Sequence, residues 1–197
     1  MTALARALPA ITALVRRRPV AWAGRAAALA AGFYGLQVAA AVARFGSMPN
    51  SFEINPYGWI WALAPSRRDA VALFFQQPLI ELSHRLPGLG DIEWQVTVDP
   101  IGLPVILIAN LLVSVFTLLE PGPGRRVDTV LAGTGAALVA LFSVTFGWVA
   151  CHTAPGWALL LMSVTGSGLA LALEPLGPAL TLAGLALLTV AVLRRAG

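Results

Sequence analysis

The sequence predicts an all-α integral membrane protein of about five transmembrane helices, with a periplasmic insert holding a surface amphipathic helix and a short extended segment. Three observations carry that expectation. Apolar residues make up 58% of the 197 residues and charged residues only 11%, where a soluble domain carries roughly 25% charged residues. Apolar runs close to membrane length recur through the C-terminal half. One stretch, residues 44–100, breaks the pattern by holding six of the nine acids (Glu53, Asp69, Glu81, Asp91, Glu93 and Asp99).

Residues 1–25 form a basic segment with Arg6, Arg16, Arg17, Arg18 and Arg25 and no acid. Leu4, Leu8, Ile11 and Val15 recur at helical spacing, which suits a helix lying on the membrane surface, with Pro9 as its weak point. The arginines read as a cytoplasmic anchor under the positive-inside rule. Residues 26–43 form the first span, rich in alanine, with Phe33, Tyr34 and Leu36 adding apolarity and Gln37 reducing it. Ala41-Val42-Ala43 resembles a signal-peptide cleavage site, and the segment is read as an uncleaved signal anchor.

Within the insert, residues 52–63 are aromatic and end before Pro65, which places Trp59 and Trp61 at headgroup depth as interfacial anchors. Ser66 opens a helix with Asp69 as its capping-box partner. Val71, Phe75, Leu79, Leu82 and Leu86 would give that helix one apolar face, interrupted at Pro78. Ile92, Trp94, Val96 and Val98 then alternate with Glu93, Gln95 and Thr97, the period of a half-buried strand. A single strand needs a partner, in the insert or on another chain.

Residues 101–197 read as a helical bundle with spans at 101–119, 127–150, 157–173 and 179–193. Asn110, Ser114 and Thr117 share one face of the first of these, and Ser163 and Ser167 make a small-xxx-small face on the third. Such faces mark helix–helix packing in lipid, and Gly133 and Gly135 allow close approach in the second. Five spans would put Arg194 and Arg195 outside the cytoplasm, against the positive-inside rule.

The turn at 148–157 concentrates chemistry: Cys151, the chain's only cysteine, stands beside His152, with Trp148 and Trp157 at either end. Thiolate and imidazole ligands suit copper or zinc. His84 and Met162 would have to complete such a site from the same side of the membrane. Neither CxxC nor HxxxH spacing is present, and adjacent side chains diverge on a helix or strand. A small buried cysteine is the plainer reading, and the two tryptophans read as interfacial anchors.

No acid lies mid-span and no catalytic constellation stands out, so an enzyme is not expected. A bound lipid, pigment or quinone is compatible with such a bundle. No aromatic-interleaved basic run argues for nucleic acid. All thirteen basic residues are arginine, a compositional hint of a GC-rich bacterial genome. The expectation is therefore a multi-pass bacterial inner-membrane protein with a cytoplasmic N-terminus. Its predicted role is a structural or accessory subunit beside other membrane-protein subunits. A metal-handling or redox protein using Cys151 and His152, or a transporter component, is the alternative.

Overall fold

A computed structural model describes residues 3–55, 58–88, 91–120, 124–142 and 176–197. These form two compact units. The first comprises 3–33, 105–142 and 176–197 and is helical; the second, over 34–104, contains a three-stranded sheet.

Helix α1 (Ala3–Arg17) passes almost directly into α2 (Pro19–Phe45). Pro19 occupies the first position of α2, where its missing N–H costs nothing. Hydrogen bonding continues across the junction, from Arg18 N–H to the Leu14 carbonyl (3.0 Å) and from Trp22 N–H to the Arg18 carbonyl (3.0 Å). Helix α2 ends at Gly46, whose φ of +72° is the left-handed conformation that closes helices.

The chain then builds an antiparallel sheet in the order β1 (Ser51–Ile54), β2 (Ile80–Arg85), β3 (Ile92–Val98). The register pairs Phe52 with Leu82 and Leu82 with Val96, and, one step along, Ile54 with Ile80 and Ile80 with Val98. Directly paired residues share a face. One face is therefore apolar apart from His84, which pairs with Trp94, whereas Ser51, Glu53, Glu81, Ser83, Gln95 and Thr97 lie on the other. A bulge at His84/Arg85 ends the β2–β3 ladder. Two short helices, α3 (Gly58–Leu63) and α4 (Arg67–Gln76), lie between β1 and β2.

Trp94 and Val96 are buried under the second half of α2, with Tyr34, Val38, Ala41, Val42 and Phe45 closing around them. Those α2 residues recur at three- and four-residue intervals, one stripe of a helix. Ala41, within the motif that resembles a cleavage site, is thus a core residue of the second unit.

In the first unit, α5 (Gly102–Leu118, which begins at the edge of the second unit) is followed by α6 (Arg125–Phe142) and α7 (Gly177–Ala196). Helices α6 and α7 pack tightly: a Cβ on Gly135 would lie 2.7 Å from the Gly184 carbonyl oxygen, and one on Gly184 equally close to that of Gly135. Only glycine at both positions permits that approach.

The all-α, five-span expectation is overturned. The insert folds as a sheet, so the chain is mostly helical with a β element. Among the described residues two helices, α2 and α7, are long and apolar enough to cross a membrane. Helix α5 has 17 residues, about 25 Å at the helical rise and short of a hydrocarbon core of about 30 Å. Helix α6 carries Arg125, Arg126 and Asp128 in its first turn. The span expected at 157–173 and residues 143–150 of its predecessor lie outside the described residues.

The helix expected beyond Ser66 is also shorter than its apolar pattern implied. It stops at Gln76, and Leu82 belongs to β2. Pro78 explains the change, because it has no N–H to continue a helical ladder. That strand is the partner that β3 requires.

Candidate functional site

Two clusters gather polar side chains. The first lies in the second unit, where α2 hands over to the sheet. Gly46 turns the chain so that Ser47 reaches β3. Its hydroxyl donates to Glu93 Oε2 (2.6 Å) and accepts from Trp94 Nε1 (2.9 Å). Trp94 is 1% exposed, so its indole N–H needs this acceptor. His84, opposite Trp94 on β2, meets the Met48 carbonyl with Nδ1 at 2.6 Å. A carbonyl only accepts, so Nδ1 carries the proton. His84 Nε2 faces Glu93 Oε2 at 3.8 Å.

Serine, histidine and glutamate are the ingredients of a hydrolytic triad, but their order here is different. A triad places histidine between nucleophile and acid. Here Glu93 stands between Ser47 and His84, and the serine proton goes to the carboxylate. The arrangement fastens residues 47–48 to the sheet. As metal donors, His84 and Glu93 are two, and among the described residues no group of three or more histidine, cysteine, aspartate or glutamate side chains converges.

A lattice of polar contacts continues along the β1 edge. Asn50 brackets Arg85, donating from Nδ2 to its carbonyl (2.9 Å) and accepting its N–H (2.8 Å). Arg85 bridges Glu53 (2.9 Å) and Glu81 (3.4 Å), cross-strand partners whose like charges would otherwise repel. Both carboxylates are thus engaged in the sheet. Trp59 donates its indole N–H to Asn55 Oδ1 (3.2 Å), and Trp61 is 56% exposed.

Asp99 follows β3 and precedes α5. Burial pushes its carboxyl above the usual aspartate range, and a hydrogen bond from Thr97 (3.5 Å) opposes that shift. Desolvation penalises the charged form more than one long hydrogen bond restores it.

The second cluster lies in the first unit, at the end where α5 finishes, α6 begins and α7 finishes. Arg194 Nε donates to Asp128 Oδ1 at 2.9 Å, and the Asp128 side chain is only 4% exposed. The guanidinium of Arg195 sits over the Phe116 ring, 4.2 Å from its centroid, a cation–π contact. Ser114 is fully buried and donates to the Trp22 carbonyl (2.8 Å), and Arg25 donates to Thr117 Oγ1 (3.3 Å). Contacts therefore link the first turns of α2, the last turns of α5 and α7, and the start of α6.

Of the residues singled out by sequence, Ser114 and Thr117 meet α2, while Asn110 is half-buried with its amide nitrogen unpartnered. Cys151, His152, Met162, Trp148, Trp157, Ser163 and Ser167 lie outside the described residues. Sequence reasoning missed the Asp128–Arg194 pair and the Ser47–Glu93 bond. These residues are 66 and 46 positions apart, and no local pattern joins them. Set beside protein families, curated proteins and solved structures, the chain matches none of them.

Proposed function

We infer that the chain is a non-catalytic accessory subunit of a larger bacterial inner-membrane complex, crossing the bilayer more than once with a cytoplasmic N-terminus. The supporting observation is the apolar face of the sheet. It is dry at β3, where Trp94 and Val96 are 1% and 5% exposed, and open at β1, where Phe52 and Ile54 are 62% and 66% exposed. These four side chains belong to one continuous surface. Met48 is also open, at 70% exposure. Single exposed apolar residues are ordinary, but a run along a sheet face beside an edge strand is a docking surface. The partner is an apolar surface of another membrane subunit.

The engaged state of Ser47, His84, Glu93, Glu53 and Glu81 fits a scaffold better than a reaction centre. Mild solubilisation followed by native electrophoresis and identification of co-isolated chains tests the role. The expected result is a species larger than one chain in its micelle, reduced to that size by Phe52→Asn with Ile54→Asn. Migration of the wild type only as a lone 20.6 kDa chain with its detergent contradicts the role.

A further inference from the structure

Helix α1 divides lengthwise into two stripes. Ala7 is buried, and Ala10, Ile11, Leu14 and Val15 are half-buried, on the side that packs against α7. The neighbouring stripe is open. It forms a shallow, open groove along one face of α1, lined by Leu8, Pro9, Thr12, Ala13, Arg16 and Arg17. Leu8 is 53% exposed at one end. Thr12 turns its hydroxyl back onto the Leu8 carbonyl (2.9 Å), so that donor is already used inside the helix. The groove is therefore apolar from Leu8 to Ala13 and cationic at Arg16 and Arg17. Its length from Leu8 to Arg17 is about 14 Å at the helical rise.

The acids of the first unit's described stretches are Glu120 and Asp128, and Asp128 is taken by Arg194. Among the described residues Arg16 and Arg17 make no ion pair.

We propose that this groove binds one anionic phospholipid, with its phosphate diester held at Arg16 and Arg17 and an acyl chain laid along Leu8, Pro9 and Ala13. An elongated ligand with a charged head and an apolar body matches both ends of the groove. A free phosphate matches only the arginine end. The inference rests on the membrane location of α2 and α7, and it goes beyond the subunit role by naming a ligand. Guanidinium groups near an anionic leaflet are each worth about 1 kcal/mol. Removing two is therefore expected to weaken the lipid by about 30-fold.

Native mass spectrometry of the full chain, released from detergent containing equal phosphatidylglycerol and phosphatidylcholine, tests the site. The expected result is a retained phosphatidylglycerol in preference to phosphatidylcholine. Arg16→Gln with Arg17→Gln abolishes the preference, whereas Arg67→Gln with Arg68→Gln, the same charge change in the second unit, keeps it. Leu8→Asn weakens retention with no change of charge. Equal retention of the two lipids, or an unaltered preference in the Arg16/Arg17 variant, overturns the proposal. So does an unaltered preference in Leu8→Asn combined with full displacement by millimolar inorganic phosphate, because the site is then one for free phosphate. A chain that is soluble and monodisperse without detergent overturns the membrane reading as well. A chain that requires detergent but shows no lipid preference overturns this site alone.

Discussion

Asp99 shows most sharply how burial and charge compete in this chain. Its carboxyl titrates above the usual aspartate range because the folded protein withdraws it from water. A folded-state value raised above the unfolded one favours folding most when the group is protonated. The contribution is fully present below the unfolded value and is lost as pH rises through the folded one. Asp99→Asn is therefore expected to raise the melting temperature at neutral pH and to flatten the gain in stability that the wild type shows on moderate acidification. Thermal melts of both chains in the same detergent across that pH range check this. Trp94 gives the opposite case, a side chain whose burial is fully satisfied. Trp94→Ala is expected to cost about 3–5 kcal/mol, read as lost cooperativity of sheet unfolding by hydrogen exchange. At this scale the sequence was informative where chemistry is local. The Ser66 cap is one example: its hydroxyl accepts the Asp69 N–H at 3.2 Å and donates to the Asp69 carboxylate at 2.6 Å. It was silent on Ser47–Glu93 and Asp128–Arg194, which only the folded chain brings together.

Among the elements, α2 explains why the sheet was legible only in part. The alternation of Ile92, Trp94, Val96 and Val98 marks β3 directly, because a half-buried strand has a period of two. The helix that covers it carries Tyr34, Val38, Ala41, Val42 and Phe45 in an alanine-rich background. A helix lying on a sheet and a helix lying in lipid both satisfy that composition, and composition alone does not separate them. Strand β2 was hidden for a different reason. Leu79, Leu82 and Leu86 continue the three- and four-residue spacing of α4, so the apolar pattern imitates a helix across Pro78. The α6–α7 contact is the element-scale feature most open to test. Gly184→Ala places a methyl group 2.7 Å from the Gly135 carbonyl oxygen. Backbone cannot yield as a flexible side chain does, and the expected loss is about 1–3 kcal/mol. Chemical denaturation in detergent, followed by loss of helical circular dichroism, measures it.

Over the whole molecule, charge is segregated. The described stretches of the first unit contain nine arginines and two acids, a net charge of +7, while residues 34–104 contain four arginines and six acids, a net charge of −2. Five crossings would have placed Arg194 and Arg195 opposite the N-terminal arginines. Instead, the Arg194–Asp128 pair brings the end of α7 to the start of α6, and Arg195 meets the last turns of α5. Ser114 and Thr117 tie those same turns to Trp22 and Arg25 at the start of α2. The arginine-rich helix ends thus share one end of the first unit, the arrangement that the positive-inside rule favours. The central claim is the proposed orientation, in which this end of the first unit faces the cytoplasm. A reporter fused after Gly197, in one version fluorescent only in the cytoplasm and in another a phosphatase active only outside it, tests that claim directly. The expected result is fluorescence without phosphatase activity at the C-terminus. Phosphatase activity at the C-terminus contradicts the account.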